Sequence, residues 1–375
     1  MTRPRVRASS LTLVASGPAS SLSVVIVAYD SAAELRRTIP ALLGELREGD
    51  ELVVVDNAST DGSARVAAEL APDASVVRLP KNAGFAAGAN AGAGAASGDL
   101  LVLLNPDAAP RPGFGEAIRA PLRDGRAWAG WMGLVTADGG RVVNTLGGAL
   151  HFTGVAWAGA AGEPVPQELA PTEVPFLSGA CLAIPRSTWF RVGGLCERYF
   201  LYHEDVDLSL RLRLGGGRIG IEPEAVVDHD YEFASGPEKY RFLERNRWAT
   251  ILRDYPGPLL ALLAPALLAT ELAMFAISVA GGWWRQKLDA SLDVLRYIGP
   301  TLRERRAIQS AGAIGAGEFA SFLTSSLDSP YLGGVAGARP LRWALRGYWR
   351  AVRVLLRAPD RSALPGAGGA PAPGP

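Results

Sequence analysis

SVVIVAYDSAAELRRTIPALLGELREGDELVVVDNASTDGS, residues Ser23–Ser63, carries the reading on which the fold rests. Its two ends are apolar, Val-rich runs, SVVIVAY (Ser23–Tyr29) and ELVVVD (Glu51–Asp56). Neither alternates with polar residues, which is the composition of strands buried on both faces. Between them, Glu34–Leu46 spaces its apolar residues as a helix does. The pattern then repeats: Ala64–Leu70 reads as helix, SVVRL (Ser75–Leu79) as strand, Gly88–Ala96 as helix and DLLVLLN (Asp99–Asn105) as strand. Strands alternating with helices predict a right-handed parallel α/β sheet. In such sheets ligands sit beyond the carboxyl ends of the strands. The residues expected there are Tyr29 and Asp30, then DNASTDGS (Asp56–Ser63), then NPD (Asn105–Asp107). Each alone reads as a turn or a helix cap. Their convergence on one sheet edge points to a ligand.

With 375 residues the chain is long enough for one large domain and an appendage. Its 38 basic and 37 acidic residues leave a net charge of +1, so nothing global attracts nucleic acid. The balance is local: residues 285–375 hold 13 Lys and Arg against 6 Asp and Glu. Two cysteines, Cys181 and Cys196, make no disulfide framework and fit a reducing compartment. The first 21 residues have a basic flank, but LTLVA is too short for the apolar core of a signal peptide, so residues 1–21 read as a loose tail on a cytosolic domain.

The glycine-rich segment NAGFAAGANAGAGAASG (Asn82–Gly98) raises a dinucleotide-binding dehydrogenase as a rival. That fingerprint needs GxGxxG directly after the first strand. Here Gly92, Gly94 and Gly98 are misspaced and lead into a strand. The alternative is a loop and helix whose small residues approach a diphosphate, with Lys81, Asn82 and Asn90 hydrogen-bonding to it. A merely close-packed helix is the plainer reading.

HEDVDLSLRLRLGG (His203–Gly216) sets Glu204, Asp205 and Asp207 within four positions. Carboxylates that close repel unless a cation, substrate or solvent compensates them. A helix N-terminus also favours acids, and Asp207 reads as an ion-pair partner of Arg211.

The ordered series VVIVAYD, VVVDNASTDGS, NAGFAAGAN, LLVLLNPDA, FLSGACLAIPR, HEDVDLSLRLRLGG, and a His followed by LERNRW, resembles glycosyltransferase family 2, in its bacterial rhamnosyltransferase-like branch. The resemblance spans about residues 22–255 and implies a GT-A, Rossmann-like nucleotide-sugar-binding domain. It implies that Asp56 hydrogen-bonds the nucleobase, with Ala28, Tyr29 and Asp30 bordering the same pocket. Asp107 matches the last acid of the family's metal motif, which holds Mg²⁺ or Mn²⁺ against the diphosphate, and Asn105 replaces the first acid. His229, in VVDHDYE, falls where a second metal ligand is expected. Asp205 matches the general base, with Glu204 orienting it or touching the acceptor. The implied partners are a nucleotide diphosphate sugar and a lipid-linked glycan acceptor, with rhamnose the first sugar to test.

These residue types suit the chemistry independently. A departing diphosphate needs a hard cation held by oxygen ligands. An acceptor hydroxyl needs one carboxylate to take its proton. A single base opposite the leaving group makes an in-line displacement that inverts the anomeric centre. Two other readings stay open. A sugar-nucleotide nucleotidyltransferase shares the sheet, but AYDSAAEL lacks the Gly-rich, Arg-containing loop that it needs. The other is a catalytically silent family member acting as a binding or scaffold protein.

After Tyr255 the character changes. PGPLLALLAPALLATELAMFAISVAGGWW (Pro256–Trp284) is long enough to cross a bilayer, yet Pro265 interrupts it and Glu271 lies inside. A single crossing would put the basic tail outside, against the positive-inside tendency. A re-entrant or in-plane helical pair is therefore expected, ahead of a single transmembrane span and then of a buried hairpin. RPLRWALRGYWRAVRVLLR (Arg339–Arg357) places Leu341, Leu345, Tyr348, Val352 and Leu355 on one face beside a stripe of Arg342, Arg346, Arg350, Arg353 and Arg357. That is the pattern of a membrane-surface helix, or of a helix docked on the core. The expected organisation is a GT-A domain over 22–255, a helical membrane-associating appendage over 256–358 and a disordered tail over 359–375. The expected location is the cytoplasmic face of the membrane. Every strand-end residue lies before residue 256, so removal of 256–358 is expected to leave a nucleotide-binding domain.

Overall fold

The computed structural model describes residues 21–230, 236–327 and 338–360. The expected tails lie outside the described residues, apart from residues 21, 359 and 360. Strands β1 (Leu22–Ala28), β2 (Glu51–Asp56), β3 (Ser75–Arg78) and β4 (Leu100–Leu104) alternate with helices α1 (Ala32–Leu43), α2 (Ser63–Leu70) and α3 (Phe85–Ala95). All of β1 and β4 is buried, which is why neither shows polar alternation. These strands pair in parallel in the order β4-β1-β2-β3, with Ala28 opposite Asp56.

The sheet does not stay parallel. Short β5 (Ala108–Pro110) and helix α4 (Phe114–Arg123) lead into β6 (Trp128–Ala137) and β7 (Val142–Thr145), then a separate hairpin of β8 (Gly148–Leu150) and β9 (Ala156–Ala158). β10 (Thr172–Glu173) and β11 (Cys181–Pro185) follow, then α5 (Arg186–Val192), α6 (Glu204–Leu214) and the long β12 (Arg218–His229). The full order is β10-β12-β6-β11-β4-β1-β2-β3, with β11 antiparallel to both neighbours. The chain enters β11 from the strand-end side of the sheet and so runs back against β4. This brings the carbonyl of Ala180 to the amide of Asn105 at 3.1 Å.

The glycines of α3 serve the sheet rather than a ligand. A Cβ on Gly88 would stand 2.5 Å from Val27 Cγ1, and one on Gly92 would stand 2.2 Å from Val25 Cγ1. Both are sub-van-der-Waals distances, so only glycine lets α3 lie this close to β1. The close-packed reading of this segment is the one observed.

Helices α7 (Glu238–Asp254), α8 (Gly257–Ala280), α9 (Trp284–Arg296), α10 (Ile298–Ser310), α11 (Ala316–Ala320) and α12 (Arg339–Leu355) complete the described chain. They do not form a detached unit. A second apolar cluster joins Leu150, Phe152, Leu210 and Tyr255 of the α/β body to Leu259 and Leu263 of α8, Phe319 of α11 and Trp349 of α12. Backbone bonds reinforce it: Phe152 N–H donates to Thr324 O at 3.0 Å, and Thr324 N–H to Leu150 O at 2.9 Å. The helical region expected after residue 255 is present, but it shares a core with the sheet domain.

The segment around Pro265 is one continuous helix of 24 residues rather than a helical pair. Pro265 faces outward, so its ring meets solvent instead of the body, and the helix runs on through it without the bond its nitrogen cannot donate. A stripe of Leu259, Leu263, Leu267 and Ser278 docks along the length of α8, while Leu268, Leu272, Phe275 and Val279 remain exposed on the other side. Glu271 is the tie in that stripe. Its carboxylate accepts Arg247 Nη2 at 2.9 Å, Trp248 Nε1 at 2.8 Å and Lys287 Nζ at 2.5 Å. Glu244 accepts Lys287 Nζ at 2.6 Å, closing a network across α7, α8 and α9. Glu271 thus ties α8 to α7 and α9.

Candidate active site

The strand ends bring most of the expected residues to one edge. Asp56 ends β2 beside Ala28 and is buried, with Oδ1 accepting the Ser59 amide at 3.0 Å. Tyr29 is half exposed over the same edge. Asp30 Oδ1 accepts the amide of Thr60 at 2.6 Å, which fixes the loop after β2 against the loop after β1. Buried Asn57, which the motif reading passed over, is the hub of this corner. Its Oδ1 accepts Ala83 N–H at 2.8 Å and its Nδ2 donates to Asn82 Oδ1 at 3.0 Å. Asn82 also accepts Gly84 N–H at 3.0 Å, so it shapes the loop before α3. Lys81 is exposed beside it.

Asn90 does not join them. Its amide donates to Leu195 O at 2.8 Å and to Glu197 at 3.1 Å, and accepts Leu195 N–H at 3.0 Å. It staples α3 to the segment after α5, which leaves nothing of its amide to hold a diphosphate.

Next along the edge, β4 delivers Asn105 and the turn to Asp107, while β12 delivers His229 from the other half of the sheet. Asp107 Oδ1 lies 3.0 Å from His229 Nε2, and Asn105 Nδ2 lies 3.4 Å from the same nitrogen. Asn144, unnoticed in the sequence, donates to His229 O at 3.0 Å. Burial alone would raise the Asp107 carboxyl, but the hydrogen bond and charge of His229 hold it below the usual range. No group of three His, Cys, Asp or Glu side chains is placed to hold a metal ion among the described residues. One carboxylate, one imidazole and an amide suit a hard divalent ion whose remaining ligands are water and substrate phosphate, which is how Mg²⁺ is commonly held.

Opposite stands the acidic helix end. A cavity of about 220 Å³ is lined by Asn105, Asn144 and His229 together with Tyr202, Glu204 and Asp205. Asp205 Oδ2 accepts the Gly179 amide at 3.1 Å and Oδ1 the Val206 amide at 2.8 Å. Burial nevertheless raises its carboxyl above the ordinary aspartate range, with those amides opposing. Glu204 is buried, its Oε2 has no hydrogen-bond partner, and burial followed by the charge of Asp205 raises it well above the usual range. Asp207 belongs elsewhere: it accepts Arg211 Nε at 2.8 Å, pairs with Arg253 at 3.0 Å and accepts the Tyr199 hydroxyl at 3.2 Å. The ion-pair reading of Asp207 therefore holds.

The segment before Glu204 is strained. Phe200, Tyr202 and His203 all have positive φ, at 64°, 69° and 66°, where side chains other than glycine are disfavoured. The LERNRW stretch explains why the strain persists. Asn246 Nδ2 donates to the carbonyls of Tyr199, Leu201 and Tyr202 at 3.0, 2.8 and 2.7 Å, and Arg245 Nη2 donates to those of Arg198 and Tyr199 at 3.0 and 2.7 Å. Helix α7 thus holds the acidic helix end in position. Sequence spacing carried no signal of this, because the partners lie more than forty residues apart.

The family model described as Glycosyl transferase family 2 matches residues 23–187. The chain is 27% identical over 296 residues to N-acetylglucosaminyl-diphospho-decaprenol L-rhamnosyltransferase of Mycobacterium tuberculosis, covering 71% of this chain and 87% of that protein. It is 29% identical over 217 residues to succinoglycan biosynthesis protein ExoO of Rhizobium meliloti, covering 54% and 59%. Among solved structures it is similar to GalNAc-T7 with UDP, GalNAc and Mn²⁺, with a TM-score of 0.54 and 18% identity over 66% of this chain and 51% of that one. The last likeness is one of fold, and the architecture is GT-A.

Proposed function

Because the chain carries a glycosyl transferase family 2 domain of the rhamnosyltransferase-like branch, we propose that it is an inverting glycosyltransferase that moves a sugar from a nucleotide diphosphate sugar to a lipid-linked or polysaccharide acceptor at the cytoplasmic face of the membrane. The observation that carries this is the single cavity where Asp205 and Glu204 face His229 and Asn105 beyond the strand ends. Asp56, with Ala28, Tyr29 and Asp30, takes the base. Lys81 and Asn82 flank the diphosphate. Asp205, its carboxylate held by two amides, takes the proton of the acceptor hydroxyl as the oxygen bonds to the anomeric carbon. The bond from that carbon to the diphosphate breaks on the opposite face, so the configuration inverts. A raised pKa makes Asp205 a stronger base. Asp107 and His229, with Asn105, would hold Mg²⁺ or Mn²⁺. That ion would neutralise charge on the leaving diphosphate.

Rhamnose leads the donor sugars because the relative in Mycobacterium tuberculosis is named a rhamnosyltransferase acting on a diphospho-decaprenol. The membrane location is supported by the exposed apolar side of α8 and by Leu288, Leu292 and Leu295 exposed on α9. Incubation of the purified protein with a panel of nucleotide sugars, dTDP-rhamnose among them, and a polyprenyl diphosphate-linked sugar tests the reading. Transfer from one donor with inverted anomeric configuration is expected. Failure to transfer or hydrolyse any donor with Mg²⁺ or Mn²⁺ present would leave the protein a binding or scaffold member.

A further inference from the structure

Helix α12 was expected to present one apolar face and one basic stripe, and it has three faces. Tyr348, Trp349 and Val352 turn inward: Trp349 stacks on Phe152 with ring centroids 5.0 Å apart, and the Tyr348 hydroxyl donates to Leu262 O on α8. Leu355, assigned from spacing to the same face, is instead exposed, as is Leu341. At about 100° per residue, the arc opposite the buried one holds Trp343, Gly347 and Val354, with Ala351 beside them, while Leu355 is exposed at the edge of the buried face, next to Tyr348. Trp343, Val354 and Leu355 are 82%, 71% and 68% exposed. A docked helix of a soluble protein turns polar residues outward. This one turns a tryptophan, a valine and a leucine outward and keeps its charges on the flank.

That flank forms a built recess. Arg346, Arg350, Arg353 and Arg357 line a surface cavity of about 440 Å³ together with Ser325 and Trp349. The carboxylate that shares it, Asp360, stands 3.6 Å from Arg353, whose Nη2 donates to Pro359 O at 2.8 Å. Four guanidinium groups against one carboxylate leave the recess cationic, and guanidinium forks match the oxygens of a phosphate. The recess borders an outward apolar arc on the same helix. Phosphate beside apolar surface is the chemistry of a phospholipid at the level of its headgroup.

We propose that the arginine-lined recess of α12 binds the phosphate of an anionic phospholipid headgroup while Trp343 and Val354 enter the acyl boundary. This rests on the membrane location proposed above and adds the element and the lipid class. Flanking arginines and a tryptophan are what an interfacial helix uses to sit in the plane of a bilayer. The position is apart from catalysis, since no residue of α12 lines the cavity of Asp205 and His229.

Flotation of the full-length protein with vesicles of phosphatidylcholine alone, and of phosphatidylcholine with phosphatidylglycerol, tests it. Binding is expected to be at least about tenfold tighter to the anionic vesicles, with a loss of about fivefold for each of Arg346, Arg350 and Arg357 replaced by Gln. Inorganic phosphate should compete better than chloride at equal ionic strength. Trp343→Ser with Val354→Ser should weaken binding to both vesicle types. Circular dichroism and donor hydrolysis, unchanged in all variants, show that the fold is intact. Equal binding to the two vesicle types, or full anionic binding by the triple Gln variant, would overturn the headgroup site while leaving a membrane location standing. Absence of binding to either would overturn both. Protection by inorganic phosphate without vesicle binding would make the recess a free-phosphate site and overturn the lipid assignment.

Discussion

The amide of Gly179, at the start of the turn into β11, donates to Asp205 Oδ2 at 3.1 Å. With Val206 N–H on Oδ1, it fixes the plane of a carboxylate that is only partly exposed. A base aimed in this way needs its charge more than its shape. Asp205→Asn keeps the shape, so donor binding should stay nearly intact while turnover falls at least about a hundredfold. Because the carboxyl is raised, protonation removes the base above the usual aspartate range, and the acid limb of the turnover profile should lie correspondingly higher. Unchanged turnover in the Asn variant would remove Asp205 from the mechanism.

Asp107 and His229 are predicted to differ in weight. A carboxylate brings charge to a divalent ion, and an imidazole only a lone pair. Asp107→Ala should abolish the enhancement of donor binding by Mn²⁺ in calorimetry, whereas His229→Ala should reduce it about tenfold or less. Full turnover in excess EDTA would demote both residues.

Glu204 should cost the fold stability as pH rises. Below its ordinary value of 4.5 both folded and unfolded chains hold the proton. Above that the unfolded chain releases it while the folded chain, with its raised carboxyl, retains it, so ionisation favours unfolding. Glu204→Gln removes this term. Its melting temperature should exceed the parent's by roughly 2–4 °C near pH 8, with the difference vanishing near pH 4. A constant offset across that range would show that the side chain does not titrate in this way.

Asn246 is predicted to position the acidic helix end without touching substrate. Asn246→Ala strips one donor from three carbonyls in a segment with positive φ at Phe200, Tyr202 and His203. Stability should fall by about 1–3 kcal/mol. Turnover should fall about tenfold while the donor KM stays put, because the β2 end is untouched. A raised KM with normal turnover would place its effect on the donor side instead.

A chain ending at Tyr255 should not fold as a soluble domain. It would uncover Leu150, Phe152, Leu210 and Ile251, now buried against α8, α11 and α12. Each such side chain is worth about 1.5–3 kcal/mol buried, which is a large share of a domain's stability. The truncated chain is expected in inclusion bodies, or soluble without a cooperative melt. A cooperative melt with nucleotide binding would restore the separable domain that the sequence suggested.

Runs such as SVVIVAY and ELVVVD were legible because a strand buried on both faces must be apolar throughout, whatever its neighbours are. Their alternation with helices carried a parallel sheet and placed Tyr29, Asp56 and Asn105 at its strand ends, while the order β4-β1-β2-β3 came from the folded structure. The Asp207–Arg211 pair was legible for the same local reason, as an i,i+4 contact on one helix. Periodicity shows that a face is buried but not what it is buried against. It therefore left open whether Gly88 and Gly92 approach a ligand or Val27 and Val25, whether Asn90 holds a diphosphate or Leu195, and which arc of α12 meets the core. Pro265 and Glu271 looked like obstacles in an apolar run. One faces outward, and the other meets Arg247 and Lys287 from α7 and α9. Those contacts join residues far apart in the chain, and only the folded structure, by closing the loops between them, decides which polar group compensates which.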